Sequence, residues 1–246
     1  MKEKIFDKEE FIFEGMVSVS AVIKCRKITK VLFDRDKIKS KKKQYDYLRA
    51  MSTLHGFDIE LTDEKTLDSL TVGTTHGGVI AYCTERKISE ITQNDIKDGG
   101  FYVYIEGIED PYNFGYALRS LYASGVDGVI LSPRNWMTAA ATVCRASAGA
   151  SERCPLFISN DGMINIFKEK GYKIVCAGIR DSVSAYDADL KKPVLLIVGG
   201  EKRGISANLL QDADTVVRLD YGREFMQSLS AASAAGILAF EVLRQN

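Results

Sequence analysis

Three short polar segments of the sequence combine residue types that bind ligands with positions directly after predicted strands. NFGYALR (113–119) follows the apolar run FYVYIEGI, GGEKRG (199–204) overlaps the end of the run VLLIVGG, and SLS (228–230) opens the last predicted helix. Parallel sheets bind ligands beyond the carboxyl ends of their strands. The three segments are therefore expected to meet at one site.

The residue types in these segments suit close contact between backbone groups and a ligand. Glycines allow a backbone to approach a ligand closely, and N–H groups and hydroxyls at a helix start bind negative groups. GGEKRG matches neither G-x-G-x-x-G nor G-x-x-x-x-G-K-[ST], which weighs against a dinucleotide or a nucleoside triphosphate. A glycine turn between a strand and a helix explains the same residues, so this segment alone does not define a reaction.

The elements that must position these segments form an α/β pattern. From Phe101 onward, six apolar β runs alternate with helices, which predicts a mostly parallel sheet with helices on both faces. The first part alternates shorter helices and strands, and a polar stretch ending in Gly99-Gly100 is interpreted as a linker. We therefore predict a small α/β domain over 1–85, a linker over 86–100 and a larger α/β domain over 101–246.

Composition narrows the class of protein. The chain has 246 residues with a formal net charge of zero, and its five cysteines form no C-x-x-C pair. With only two histidines, a metal cluster is not expected. The thiols are interpreted as reduced, and the compartment as cytosolic. The acidic start MKEKIFDKEE does not resemble a signal peptide, and no apolar stretch is long enough for a membrane span.

A basic run lies between Lys24 and Arg49, with eleven Lys or Arg against three Asp. A solvated helix face explains such a run. It is also suited to a phosphate backbone, and a tyrosine beside it can stack on an unpaired base. The candidate RNA contacts are Lys41, Lys42, Lys43 and Tyr45.

The three segments, in this order, resemble the motifs of the TrmH-type branch of the SPOUT RNA methyltransferases. RASAGAS (145–151) is similar to a Ser-Ala-Gly segment of the same family. The resemblance covers 101–246 well, and the first part resembles the family's L30e-like RNA-binding domain, with His76 in a similar His-x-Gly-Val stretch.

This resemblance implies S-adenosylmethionine as methyl donor, a ribose 2′-hydroxyl of RNA as acceptor, a C-terminal trefoil knot and a homodimer. His76, which lies in a glycine loop, is a candidate RNA contact, and a structural hydrogen bond is its alternative role. The donor-binding residues carried over by position are Ala177, Gly178, Gly199, Gly200, Leu219, Ser228 and Leu229. The candidate catalytic residues are Arg119, Asn113, Glu201 and Ser230.

Arg119 suits the stabilisation of negative charge on the attacking oxygen, because a guanidinium is a permanent cation. It is not suited to act as a general base. Pairing with Glu201 is an alternative, structural role for Arg119, and Asn113 has the alternative role of a helix cap. Ser230 stands where the family usually has Asn, which keeps a hydroxyl but removes an amide donor.

Four functions stay open at this point. The first is 2′-O-methylation of RNA, with ribosomal RNA preferred as the substrate and transfer RNA as its alternative. The second is a non-catalytic RNA-binding factor of the same fold. A methyltransferase acting on a base nitrogen and a small-molecule Rossmann-type enzyme are the other two. An intact Arg119 together with Gly199 and Glu201 favours an enzyme over a non-catalytic factor, and the missing glycine fingerprint counts against the Rossmann-type enzyme.

Overall fold

The computed structural model of the chain describes residues 10–71, 75–133, 139–200 and 202–246. These residues divide into two compact units. The N-terminal unit comprises 10–71, 75–87 and 139–153, and the C-terminal unit comprises 88–133, 154–200 and 202–246. Within these ranges no helix combines the length and apolar character that crossing a membrane requires.

The N-terminal unit is a four-stranded mixed sheet with helices packed on it. The strand order is β1-β4-β2-β3, with β4 antiparallel to both of its neighbours and β2 parallel to β3. The elements are β1 (Phe11–Glu14), α1 (Met16–Cys25), β2 (Ile28–Asp34), α2 (Lys42–His55), β3 (Asp58–Thr62), α3 (Glu64–Leu70), β4 (Val79–Cys83), α5 (Ala140–Ala146) and α6 (Ala150–Arg153).

A segment from later in the chain completes the core of this unit. Ala140 and Cys144 of α5 are buried with Phe13, Val19 and Phe33 in one apolar cluster. This segment lies within the range 101–246 that we assigned to the second domain. Its alanine-rich sequence would suit either unit. Its place in the N-terminal unit is determined by contacts with residues more than a hundred positions earlier in the chain.

The C-terminal unit contains a seven-stranded sheet in the order β7-β6-β5-β10-β8-β11-β9, in which all neighbouring strands are parallel. The elements are β5 (Phe101–Glu106), α4 (Pro111–Ala123), β6 (Gly128–Leu131), β7 (Leu156–Ile158), α7 (Met163–Glu169), β8 (Lys173–Ala177), β9 (Val183–Ser184), β10 (Val194–Gly199), α8 (Ala207–Gln211), β11 (Thr215–Arg218) and α9 (Ala231–Gln245).

Burial explains why the central strands are continuous apolar runs in the sequence. Every residue of β6 is buried, as are five of six in β5 and in β10, as expected for parallel strands covered on both faces. Residues of α7 and α8 pack on one set of alternate strand residues, and α4 packs against α9, which contacts β10. The predicted α/β class with a parallel sheet is confirmed. The two-residue strand β9 was not predicted.

The close approach of α4 and α9 depends on small side chains. A Cβ added to Gly236 would lie 3.1 Å from Cβ of Ser120. The small-residue stretch at the start of α9 therefore allows tight packing on α4, as the sequence indicates.

Candidate functional site

A cleft opens in the C-terminal unit where the carboxyl ends of β8, β10 and β11 meet the start of α9. It consists of two adjoining cavities of about 310 Å³ and 330 Å³. β8 lies between β10 and β11 in the sheet and is parallel to both, so the carboxyl ends of these three strands lie at the same edge, where parallel sheets bind ligands. The residues that line both cavities are Ala177, Gly178, Ile179, Ser228, Leu229 and Ala234.

All seven residues that sequence reasoning selected for the donor line this cleft. Ala177, Gly178, Ser228 and Leu229 line both cavities, Gly199 and Gly200 line one of them, and Leu219 lines the other. They come from four separate segments of the chain. The structure thus brings this set together, and the donor contacts themselves stay a prediction.

Gly199 and Gly200 are required by contacts between backbones. A Cβ on Gly199 would lie 2.2 Å from the carbonyl carbon of Gly204, and a Cβ on Gly200 would lie 2.2 Å from the carbonyl oxygen of Gly107. The Gly204 N–H also donates to the Gly200 carbonyl at 3.0 Å. These glycines fold the loop after β10 tightly onto itself and onto the loop after β5, whereas the sequence had suggested close approach to a ligand as their reason.

Two aromatic residues of the cleft were missed by sequence reasoning. Tyr221 and Phe225 line one cavity, with ring centroids 6.0 Å apart. The Tyr221 hydroxyl accepts a hydrogen bond from the backbone N–H of Leu229 at 3.1 Å. Both lie between two predicted donor-binding positions, Leu219 and Ser228, and that location is the signal that could have identified them.

Ion pairing fixes the loops beside the cleft. The Arg218 Nε donates to Asp220 at 2.9 Å, and its Nη1 donates to the Ser182 carbonyl at 2.6 Å. A hydrogen bond from the Ser184 hydroxyl, assisted by Arg218, holds the pKa of Asp220 below its usual value. Asp220 is therefore a carboxylate at neutral pH and holds Arg218, which in turn ties the end of β11 to the loop after β8.

Arg119 and Asn113 lie on α4 and do not line the cleft. Arg119 is exposed and makes no hydrogen bond or ion pair with any described residue. The helix cap is Asp110, whose carboxylate accepts the Asn113 N–H at 2.8 Å. The alternative reading of Asn113 as the cap is thus wrong, because it occupies the third position of the helix.

Ser230 caps α9, since its hydroxyl oxygen accepts the Ser233 N–H at 3.2 Å. An Asn at this position can cap a helix equally well, so the replacement of the family's usual residue preserves this local role. Glu201, the remaining candidate catalytic residue, lies outside the described residues.

The candidate RNA contacts of the N-terminal unit divide into exposed and engaged residues. Lys42 and Lys43 are exposed on the first turn of α2, where the Lys42 Nζ also donates to the Asp46 carboxylate at 2.6 Å. The Lys41 Nζ donates to the Gly77 carbonyl at 2.5 Å, and the Tyr45 ring packs on Phe33 with centroids 5.1 Å apart. Lys41 and Tyr45 therefore hold a loop and the core.

His76 is buried, with an exposed fraction of 1%. Its Nδ1 accepts the Gly78 N–H at 3.0 Å, so the proton is on Nε2, which donates to Asp68 at 2.9 Å. Because both ring nitrogens are engaged, the imidazole has no free nitrogen for RNA.

The cleft has mainly apolar walls, with backbone groups of the strand ends at its edge. Apolar side chains such as Val217, Leu229 and Leu238 form the walls, and strand ends supply backbone hydrogen-bonding groups, as in cofactor sites generally. Among the described residues no group of three or more His, Cys, Asp or Glu is arranged to hold a metal ion. Fold and site thus define a nucleotide- or nucleoside-binding α/β protein with a separate small N-terminal unit.

Comparison with known proteins gives the family. Residues 100–240 match the SpoU rRNA Methylase family, and residues 12–89 match the family described as RNA 2′-O ribose methyltransferase substrate binding. The 23S rRNA (guanosine-2′-O-)-methyltransferase RlmB of Shewanella oneidensis is 32% identical over 198 residues, covering 77% of this chain and 79% of that protein. A Staphylococcus saprophyticus protein assigned to the TrmH family of tRNA/rRNA methyltransferases is 29% identical over 245 residues, covering 96% of both chains.

A solved structure agrees with this grouping. The AdoMet-bound rRNA methyltransferase from Sinorhizobium meliloti superposes with a TM-score of 0.79 at 25% identity, covering 96% of this chain and 87% of that one. The chain belongs to the SpoU rRNA methylase family. It is an RNA 2′-O-ribose methyltransferase that uses S-adenosylmethionine, and the predicted family, reaction class and methyl donor are confirmed.

Proposed function

We propose that the acceptor is a ribose 2′-hydroxyl of large-subunit ribosomal RNA, with a guanosine as the first nucleoside to test. The relative that names this substrate, from Shewanella oneidensis, is 32% identical to the chain. The observation that carries the proposal is the cleft at the carboxyl ends of β8, β10 and β11, lined by all seven predicted donor-binding residues. Such an enzyme works where ribosomal RNA is made and assembled, so we place it in the cytoplasm.

S-adenosylmethionine supplies a methyl group already activated by its sulfonium. The protein must hold the acceptor oxygen in line with that methyl group and stabilise the negative charge that develops on the oxygen. Arg119 is proposed for the second task, because its guanidinium is exposed and unpaired among the described residues. Asn113, six residues earlier on the same helix, would contact the acceptor or orient Arg119.

The test of this function is methyl transfer followed by nucleoside mass spectrometry. Ribosomal and transfer RNA are incubated separately with the protein and trideuteromethyl-labelled S-adenosylmethionine. We expect label on ribose in ribosomal RNA, with 2′-O-methylguanosine as the main product. Label mainly in transfer RNA would select the second substrate class, which the Staphylococcus relative's name includes. Label on a base would refute ribose as the acceptor.

The role of Arg119 is tested by Arg119→Ala beside Lys191→Ala, which removes an exposed cation that does not line the cleft. Removal of one donor to a developing oxyanion lowers kcat by about 100- to 1,000-fold, and we expect that range for Arg119→Ala only. Donor affinity measured by calorimetry should stay unchanged in both variants. Full kcat in Arg119→Ala would show that the cation is not catalytic.

Lys42 and Lys43 are proposed to bind the phosphate backbone of the substrate. Reversing both to Glu should weaken RNA binding and reduce its salt dependence by about 0.7 to 0.9 in the log–log slope for each phosphate that is no longer neutralised. Lys65→Glu, at an exposed lysine on α3, is the matched control. An unchanged slope in the double variant would exclude this helix start from the RNA site.

The chain is proposed to act as a homodimer through the exposed faces of α4 and α9. Tyr112, Tyr116, Ile237 and Phe240 are large apolar side chains between 41% and 51% exposed, and α4 packs directly against α9. Arg119 falls three residues after Tyr116, on the same stripe of α4. A second copy on this surface would border Arg119.

Light scattering after size exclusion tests the dimer. Ile237→Asp combined with Phe240→Asp should give a monomer, because two carboxylates would have to be buried at the interface. Leu54→Asp, at a position 71% exposed on α2, should leave the mass unchanged. A monomeric unmodified protein at micromolar concentration would refute the dimer.

A further inference from the structure

Arg180 follows β8 at the edge of the donor cleft. It lines the 330 Å³ cavity together with Gly199, Gly200 and Leu229. It is the one charged side chain among the described residues that line this cavity, and it forms no ion pair or hydrogen bond with another described residue. By contrast, Arg218, which lines the adjoining cavity, is paired with Asp220.

The backbone around Arg180 is held by hydrogen bonds on both sides. The Gly178 N–H donates to the Val217 carbonyl at 2.9 Å. On the other side, the Ser182 hydroxyl donates to the Ile179 carbonyl at 2.7 Å, and Arg218 donates to the Ser182 carbonyl at 2.6 Å. The position of the Arg180 backbone is therefore set before any ligand binds, which lowers the ordering cost of an interaction made by its side chain.

The guanidinium of Arg180 has no counterpart of opposite charge among the described residues that line its cavity. None of them carries a carboxylate, so no described lining residue neutralises this guanidinium. The methyl donor has a single anionic group, the carboxylate of its methionine part. Guanidinium and carboxylate match in charge and in planar, two-pronged geometry.

We propose that Arg180 binds the carboxylate of S-adenosylmethionine and so positions the methionine end of the donor, an inference that rests on the function proposed above. Arg180 is a positioning residue, since the reacting methyl group is at the sulfonium. Its interaction with the carboxylate is made equally before and during methyl transfer. Removing that interaction therefore raises KM for the donor and leaves kcat unchanged.

Calorimetry with two donors separates the carboxylate from the rest of the molecule. S-adenosylmethionine and decarboxylated S-adenosylmethionine are titrated into the unmodified protein, Arg180→Gln, Arg180→Lys and the control Lys191→Gln. A hydrogen-bonded interaction with a charged group, discounted because Arg180 is exposed, corresponds to about a tenfold change in affinity.

The expected result is specific to one ligand and one position. Arg180→Gln should bind S-adenosylmethionine about tenfold more weakly and bind the decarboxylated donor as the unmodified protein does. The preference for the carboxylate then disappears. Arg180→Lys should keep part of it, because it retains a point charge without the planar fork, and Lys191→Gln should keep all of it.

Three results would overturn the proposal. Equal weakening of both donors in Arg180→Gln would mean that Arg180 shapes the cleft without touching the carboxylate. Unchanged donor affinity with a raised KM for RNA would assign the guanidinium to a phosphate of the substrate. If the unmodified protein bound neither donor, the assignment of the cleft would fail as well, whereas the first two results leave that assignment standing.

Discussion

A buried ion pair in the N-terminal unit gives the sharpest prediction about stability. Arg26 at the end of α1 donates from Nε and Nη2 to the two carboxylate oxygens of Glu152 on α6, at 2.7 Å and 3.0 Å. The two side chains are only 2% and 3% exposed, and the guanidinium lies 4.7 Å from the centre of the Phe13 ring. The perturbation we choose is Glu152→Gln, which keeps the volume and removes the charge.

The expected loss of unfolding free energy depends on the partners that the Arg26 guanidinium would keep without the Glu152 carboxylate. Burial alone would lower the pKa of Arg26, but the hydrogen bonds and charge of Glu152 outweigh it and raise that pKa. Without Glu152, the remaining backbone partner is the Thr84 carbonyl at 3.4 Å. Removing one member of a buried pair costs about 3 to 5 kcal/mol of unfolding free energy, and the amide of Gln recovers part of this, so we expect a decrease of about 3 kcal/mol.

Urea unfolding followed by circular dichroism measures this decrease. The control is Asp46→Asn, which breaks the exposed pair with Lys42, whose side chains are 50% and 74% exposed. That change should cost at most about 0.5 kcal/mol. The double replacement Arg26→Met with Glu152→Leu should recover most of the stability, because it leaves no unpaired buried charge. If Glu152→Gln cost no more than the exposed control, the reasoning from burial would be refuted.

Three further predictions concern the cleft and the thiols. Gly199→Ala should abolish donor binding measured by calorimetry, because the added Cβ would lie 2.2 Å from the backbone of the same loop. The control Gly222→Ala should bind the donor normally, because its Cβ would meet no atom within 4 Å. Tyr221→Phe removes the acceptor of the Leu229 N–H and should weaken donor binding by about tenfold, which an unchanged Kd would contradict. Ellman's reagent at pH 8 should modify Cys25 alone in the folded protein, because the other four thiols are buried. Burial also raises the pKa of three of them, Cys83, Cys144 and Cys176, to about 12. Rapid reaction of a second thiol would contradict this prediction.

Local patterns in the sequence were sufficient for most elements. In the first part of the chain, the apolar run ITKVLFD forms strand β2 (Ile28–Asp34) and the basic run continues into helix α2 (Lys42–His55), in agreement with the predicted alternation of short helices and strands. These elements are determined by their own periodicity and end residues, such as Gly56 in the left-handed conformation after α2. The placement of α5 and α6 was not predictable in this way, because it depends on contacts with residues far away in the chain, the Arg26–Glu152 pair among them.

The residues of the candidate site also separate into those that local sequence predicts and those that depend on distant contacts. Strand ends and family motifs were sufficient to select the seven lining residues, because each stands at a recognisable position in its own segment. Arg180, Tyr221 and Phe225 were missed, since their residue types alone do not distinguish them from ordinary loop residues. They line the cleft only because the ends of β8, β10 and β11 and the start of α9 come together in the folded chain.

The glycines of the loop after β10 show that an intact motif does not by itself establish catalytic activity. Gly199 and Gly200 are fixed by backbone contacts with Gly204 and Gly107, so any chain that keeps this loop needs them, whether or not it transfers a methyl group. Arg119 has no such structural requirement, since it is exposed and bonded to no described residue. A non-catalytic relative with this fold would therefore be expected to retain the glycines and lose the arginine. The presence of Arg119, rather than of the glycine loop, is the residue-level argument for catalysis in this chain.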